Sequence, residues 1–103
     1  MHKIVYFVPE SHLDITKSAL FAAGAGCYEN YDQCCWQVLG QGQFRPLKNS
    51  HPYIGEENQL THVDEYRVEM ICKDDVVLQA ITALRKAHPY EEPAIDLWQL
   101  GNV

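Results

Sequence analysis

The sequence predicts an α+β fold of the ferredoxin-like βαββαβ type, a sandwich in which two helices cover one face of a four-stranded antiparallel sheet. Three observations predict it: the elements follow the order strand–helix–strand–strand–helix–strand, each helical segment carries one apolar stripe, and one strand alternates polar with apolar residues. The 103 residues are 47% hydrophobic and 21% charged. We therefore expect one globular domain over residues 1–103.

The chain begins with a predicted strand and helix. Residues 3–8 form a continuous apolar run that ends at Pro9, which is typical of a buried strand. A helix is expected over 12–23, with Ser11 as its N-cap and Gly24 as its left-handed stop. One face of this helix collects apolar side chains and a threonine, namely Leu13, Thr16, Leu20 and Ala23.

The middle of the chain is less regular. We expect a second strand over 33–39, followed by a bulge or sharp bend at Gly40 and Gly42. The extended loop or protruding ribbon then occupies about residues 40–62. Its last part, 45–62, is rich in proline and polar residues.

Strict alternation predicts a third strand over 63–72. A second helix is expected to run to Ala87 with Asp74 or Asp75 as its N-cap, and the last strand is expected over 94–100. The sheet face away from the helices is expected to be open and to carry apolar side chains, among them Trp36 and Trp98. Such an uncovered face favours oligomerisation.

The net charge of the chain disfavours two classes of partner. The chain has 8 Lys and Arg against 14 Asp and Glu, a formal net charge of −6. This balance argues against nucleic acid and against an anionic membrane surface, because both attract basic proteins. The sequence contains no apolar run of about 20 residues and no secretory signal, so we expect a cytoplasmic protein.

The four cysteines, Cys27, Cys34, Cys35 and Cys72, include no CxxC pair. A zinc knuckle and a thioredoxin-type motif are therefore excluded. Without a secretory signal, free thiols are the default. Structural or incidental roles are favoured over redox chemistry.

The densest group of polar residues is the segment His88-Pro89-Tyr90-Glu91-Glu92-Pro93. Two prolines restrict the backbone, and a rigid segment suits a binding site. Its imidazole and carboxylates are ligands for a divalent metal and are also groups for acid–base work. The alternative is a simple helix end, with His88 near the C-terminal carbonyls and both glutamates in solvent.

Three further residues are candidate contributors to the same site. His62 lies beside the long loop, Glu65 lies on the adjacent strand, and Cys34 lies near the start of the second expected strand. No HxH or HExxH spacing defines a metal geometry, and a solvated acidic loop is the competing interpretation. No glycine-rich phosphate loop and no nucleophile elbow occurs.

Several separated motifs resemble the domain inserted in YqfO-type proteins of the dinuclear-metal-centre family, nearly from end to end. The motifs are Phe7-Val8-Pro9, Gly24-Ala25-Gly26, Tyr31 with Cys34, Gly40-x-Gly42-x-Phe44-x-Pro46, Pro52 with Ile54-Gly55, Glu65-x-Arg67-x-Glu69, and His88-Pro89-Tyr90-Glu91-Glu92-Pro93-Ala94 with Asp96. The last motif is also similar to that of CutA proteins. The resemblance implies a CutA/PII-like fold and a homo-oligomer, with a trimer favoured and a dimer possible. The family's dinuclear site uses flanking regions that this sequence lacks, so that site is not transferred.

The leading functional hypothesis is a non-enzymatic oligomeric module, similar to PII and CutA, that binds a metal ion or a small ligand at a subunit interface. The candidate residues are His88, Tyr90, Glu91, Glu92, His62, Glu65 and Cys34. No catalytic residue is assigned, and a divalent metal is the candidate cofactor. Metal-assisted hydrolysis by the same carboxylates and a purely structural assembly domain with a protein partner are the alternatives.

Overall fold

The computed structural model of the chain describes residues 1–102 and confirms the predicted order of elements. The strands are β1 (His2–Val8), β2 (Trp36–Phe44), β3 (Thr61–Cys72) and β4 (Ile95–Gln99), and the helices are α1 (Leu13–Ala22) and α2 (Val77–Ala87). The sheet has the order β2-β3-β1-β4, and every neighbouring pair is antiparallel. The predicted α+β, ferredoxin-like plan is therefore confirmed.

The hydrophobic core lies between the helices and one face of the sheet. Alternate residues of β1 and β3 point to it, as the strand period of two requires. Both helices contribute the stripes that the sequence predicts. The members of this core cluster include Ile4, Tyr6, Val8, Leu13, Leu20, Val68, Met70, Cys72, Val77, Ala80 and Leu84.

A buried hydrogen bond joins β1 to α1. The hydroxyl of Tyr6 lies 2.9 Å from that of Thr16, and both residues are fully buried. Thr16 donates its own proton to the carbonyls of His12 and Leu13, so Tyr6 is the donor between the two hydroxyls. Burial raises the pKa of Tyr6 to about 12, so it stays protonated and keeps this bond.

The opposite sheet face is uncovered by helices, as predicted. The register places Trp36 of β2 and Trp98 of β4 on this face, beside Glu69 and Lys3 respectively. The two indoles remain 58% and 47% exposed. Val5, on the same face, is nevertheless fully buried.

The second strand is longer than predicted, and the expected bulge is absent. β2 continues through both glycines in regular register, with Gly40 opposite Glu65 and Gly42 opposite Val63. The expectation of a bend was wrong because pairing with β3 overrides the low strand propensity of glycine. Only residues 45–60 lie between the two strands.

The expected N-terminal caps of both helices were wrong, whereas Gly24 follows α1 in the left-handed conformation, as predicted (φ 106°). A short 3₁₀ turn over Glu10–His12 precedes α1, and Ser11 hydrogen bonds to the ring of His12 instead of capping the helix. α2 begins after Val76 without a side-chain cap, while the carboxylate of Asp74 lies 2.6 Å from Nδ1 of His2. The expected N-cap at Asp74 or Asp75 was thus one or two residues early.

The β2–β3 ribbon extends past the rest of the sheet, because β1 pairs with β3 only as far as Tyr66. The pairs from Gly40 with Glu65 to Phe44 with Thr61 lie beyond that point. The long dimension of the molecule is 46 Å against 25 and 24 Å in the others. Among residues 1–102, neither helix has the length and hydrophobicity needed to cross a bilayer.

Candidate functional site

The segment 88–93 forms the connection between α2 and β4. Its first residue, His88, ends α2 with an extended backbone conformation (φ −75°, ψ 139°), which the following Pro89 favours. The His88 side chain is only 7% exposed. It therefore turns into the protein instead of lying beside the end of the helix.

Both ring nitrogens of His88 are engaged by backbone groups. Nε2 lies 2.7 Å from the carbonyl of Phe7, and Nδ1 accepts the N–H of Tyr90 at 3.1 Å. The ring is therefore neutral, with its proton on Nε2. Burial lowers the pKa of His88, and the nearby His12 lowers it further, against the opposing effect of the Phe7 carbonyl. These two bonds hold the segment in place, and they leave neither ring nitrogen of His88 free to coordinate a metal ion.

Tyr90 reaches from this segment to the third strand. Its hydroxyl donates a hydrogen bond of 3.3 Å to Oε2 of Glu65, 25 residues earlier. Burial raises the pKa of the Glu65 carboxyl, and the Tyr90 bond partly offsets this effect. Burial and the charge of Glu65 raise the pKa of Tyr90. The tyrosine is therefore the donor at neutral pH.

Gly42 makes room for the Glu65 side chain. A Cβ atom at Gly42 would lie 2.9 Å from Cδ of Glu65 and would overlap Oε1, whereas one at Gly40 would have no neighbour closer than 4.0 Å. Glu65 leans diagonally across the ribbon, from its partner Gly40 toward Gly42. The absent side chain at Gly42 thus sets the position of the carboxylate.

Residues 45–60 fold back against the 88–93 segment. The backbone N–H of His51 donates to Oε2 of Glu91 at 3.0 Å. The ring of Tyr53 lies 6.3 Å from that of Tyr90 and 5.7 Å from that of His12. These contacts join two connections that are distant in sequence.

A cavity of about 280 Å³ lies between the ribbon, the 45–60 loop and the 88–93 segment. Its size is close to the lower end of small-ligand pockets. Aromatic and apolar side chains form most of its wall: Phe7, Phe44, Pro46, Pro52, Tyr53, Ile54, Tyr90 and Ala94. The cavity is open to solvent.

The polar part of the wall is acidic. Three carboxylates line the cavity, from Glu65, Glu91 and Glu92, together with Gln43 and Ser50. Glu65 is partly buried, whereas Glu91 and Glu92 are exposed. No lysine, arginine or histidine within residues 1–102 lines it. The cavity therefore combines aromatic rings with negative charge.

The structure does not bring His62 and Cys34 to this cavity. His62 is exposed and lies on the sheet face opposite to Glu65, because the two are three positions apart on β3. Cys34 hydrogen bonds through its backbone N–H to Gly26, which in turn bonds to Ile71 near the end of β3. Six residues of strand, about 20 Å, separate Ile71 from Glu65.

The part of the chain that the structure describes contains no preformed metal centre. Within residues 1–102, no group of three or more His, Cys, Asp or Glu side chains is arranged to hold a metal ion. Among these described residues, the carboxylates share the cavity wall with aromatic rings and not with histidine or cysteine side chains that could coordinate a metal ion.

Sequence reasoning missed the aromatic wall. Phe7, Phe44 and Tyr53 lie on β1, β2 and the 45–60 loop, and none of them was a candidate site residue. The signal for Phe44 was the spacing Gly42-x-Phe44, which puts the ring on the strand face from which Gly42 omits a side chain.

Proteins with similar sequences are known from several bacteria. The chain is 40% identical over 102 residues to a GTP cyclohydrolase 1 type 2 homolog of Halalkalibacterium halodurans, and this match covers 99% of the chain and 27% of the relative. The corresponding homolog of Mycobacterium leprae is 38% identical over 97% of the chain and 26% of the relative. The chain thus spans about a quarter of the length of the relatives it matches. No family model matches the chain.

Two solved structures have folds similar to that of this chain. A Bacillus cereus protein related to NIF3 superposes with a TM-score of 0.85 at 38% identity, covering 98% of this chain and 26% of that one. CutA from Xylella fastidiosa superposes with a TM-score of 0.72 at 18% identity, covering 99% and 85%. The latter likeness concerns the fold alone. The predicted resemblance is therefore confirmed: the chain is a homologue of a CutA-like domain that forms about a quarter of the NIF3-related, YqfO-type GTP cyclohydrolase 1 type 2 homologs.

Proposed function

We propose that the chain is a non-enzymatic binding module that takes a small ligand in the cavity between the ribbon and the 88–93 segment. The observation that carries this proposal is the convergence of Glu65, Tyr90 and Tyr53 on one cavity from three separate parts of the chain. Convergent polar groups in an apolar concave site are typical of ligand pockets. The segment is held by His88, as a preorganised site requires.

The module acts in this proposal as a homo-oligomer, with a trimer favoured over a dimer, and a second copy covers the open sheet face. Support comes from the exposed indoles of Trp36 and Trp98 and from the half-exposed Val38 on that face. An exposed apolar surface of this kind favours association. The CutA-like fold is compatible with it. Placement in the cytoplasm agrees with four free cysteines within residues 1–102.

Binding is favoured over the enzymatic alternative. Metal-assisted hydrolysis needs a metal centre, and residues 1–102 bring together no set of three ligands. The relatives are named for GTP cyclohydrolase. A triphosphate would place several negative charges beside Glu65, Glu91 and Glu92, so we do not propose GTP as the ligand of this cavity.

Binding of small fragments followed by amide NMR shifts tests this proposal. We expect fragments that bind to shift the amides of Gly42, Gly55 and Tyr90 around the cavity. Ala94→Phe should block these shifts, because Ala94 is exposed and lines the cavity. Gln41→Phe is the control, since Gln41 is exposed and does not line it. Shifts that survive Ala94→Phe unchanged would contradict the proposed cavity.

A further inference from the structure

We infer that the ligand of this cavity is a small organic cation, a protonated or quaternary amine, whose charged group lies between the aromatic wall and Glu65. This inference rests on the proposed function and adds the class of ligand to it. Three observations carry it: three of the donors around the cavity are engaged within the protein, carboxylate acceptors remain, and aromatic rings line the remaining space.

Three donors around the cavity are engaged within the protein, whereas the amide of the exposed Gln43 also lines it. The Tyr90 hydroxyl donates to Glu65, and the backbone N–H of His51 donates to Glu91. The Ser50 hydroxyl donates to the carbonyl of Leu47 at 2.7 Å. An anion or a carbonyl ligand needs donors from the protein, and these three are not available without breaking an internal bond.

Acceptors are left over. Within residues 1–102, Oε2 of Glu65 and Oε2 of Glu91 each accept one bond, and no hydrogen bond reaches the second oxygen of either carboxylate. Glu92 adds a third carboxylate at the cavity. An ionised carboxylate is an acceptor only, so a ligand that supplies positive charge or N–H donors satisfies these oxygens.

The aromatic wall favours a cation over a neutral donor. Phe44, Tyr53 and Tyr90 line the cavity, and the faces of such rings attract positive charge. The protein uses this attraction next to the cavity, where the guanidinium of Arg67 lies 5.9 Å from the ring centroid of Phe7. Arg67 itself is paired with Glu69 at 3.0 Å and does not line the cavity, so the carboxylates there are left for a ligand.

A pair of probes of equal shape tests the class of ligand. Choline is a quaternary ammonium ion, and 3,3-dimethylbutan-1-ol has the same shape without the charge. Each is titrated to about 50 mM, which saturates a site of low-millimolar Kd, with sodium chloride holding ionic strength constant. We expect choline to shift the amides around the cavity at least about tenfold more tightly than its neutral isostere.

Variants assign the effect to Glu65. Glu65→Gln should reduce choline binding by about tenfold or more and bring it close to that of the isostere, because the charge is lost while an acceptor for Tyr90 is kept. Gly42→Ala should weaken choline binding by displacing the carboxylate. Gly40→Ala, on the same strand face, should leave it unchanged, since no atom lies within contact of a Cβ there.

The outcomes separate this inference from the proposed function. Equal binding of choline and the isostere would overturn the cation class while the cavity remains a binding site. No choline shift at about 50 mM would also overturn it, and the fragment experiment with Ala94→Phe then decides the binding function independently. Choline shifts that are insensitive to Glu65→Gln would place the cation elsewhere and overturn the assignment.

Discussion

The carboxylate of Glu65 lies over Gly42 on the neighbouring strand, in the space that any other residue at position 42 would fill. This relationship links a sequence feature, the Gly40-x-Gly42 spacing, to the geometry of the cavity. The same carboxylate accepts the hydroxyl proton of Tyr90 and thereby ties the ribbon to the 88–93 segment. One missing side chain therefore positions a group that joins two parts of the fold.

Substitution at the two glycines of β2 should have different effects. In Gly42→Ala the Glu65 carboxyl is pushed into solvent, so its pKa should fall toward the ordinary value, because burial is the larger cause of the present increase. The hydrogen bond from Tyr90 should be lost in the same variant, and relief of the buried charge should offset its energy. A pH titration of the Glu65 carboxyl carbon by NMR measures the first effect. Gly40→Ala is the control, and an equal change in both variants would contradict the account.

Glu65→Gln should stabilise the fold at neutral pH. The folded-state pKa of Glu65 is raised, so protonation of this group favours folding below about pH 4.5 and that contribution is lost as pH rises. Glutamine imitates the protonated carboxyl at every pH. Thermal unfolding should therefore show a higher Tm for the variant at pH 7 and a difference that closes in acid. A lower Tm at pH 7 would show that burial of the charge is not unfavourable.

Acid should destabilise the fold through His88. Its folded-state pKa is lowered, so its contribution to stability is present above about pH 6.5 and is lost as pH falls toward the folded-state value. The groups facing the ring are the Phe7 carbonyl, the Tyr90 amide, the Tyr6 ring and His12. Below pH 6.5 the free energy of unfolding should decrease by at most about 1.4 kcal/mol per pH unit from this site.

Urea unfolding at several pH values measures this effect. His88→Gln should flatten the dependence between about pH 6.5 and pH 5, since glutamine does not titrate. His62→Gln is the matched control, because His62 is exposed on the ribbon and should leave the slope unchanged. An unaltered slope in His88→Gln would show that another group causes the acid sensitivity.

The losses of stability caused by substituting Tyr6 and Thr16 should not be additive. Thr16→Val leaves the buried Tyr6 hydroxyl without an acceptor and should cost about 1–3 kcal/mol. Tyr6→Phe removes the donor itself and should cost less, about 0.5–1.5 kcal/mol. In a double-mutant cycle by chemical unfolding, the double variant should lose less stability than the sum of the two. Additive losses of stability would contradict the hydrogen bond between Tyr6 and Thr16.

Much of the fold could be predicted because its patterns are local. The alternation of β3 and the stripes of both helices each reflect burial of a single face, and the structure confirms them. The end of β2 was missed because Gly40 and Gly42 carry no strand propensity of their own and are held by pairing with β3. The caps at Ser11 and Asp74 were wrong because those side chains engage histidines instead.

The site could be predicted only in part. The polar density of residues 88–93 indicated the segment, but the bond from Tyr90 to Glu65 spans 25 residues and has no local signature. The distance of Tyr53 from Tyr90 likewise depends on how the 45–60 loop returns to the body of the protein. By contrast, the strand period already places His62 and Glu65 on opposite faces.

Native mass spectrometry of the untagged protein as purified tests the central claim most directly, because it reports the number of subunits and any retained small molecule together. We expect a homo-oligomer, with a trimer favoured, that carries additional non-covalent mass. An oligomer without additional mass would favour the purely structural assembly role. A bare monomer would contradict the account of an oligomeric binding module.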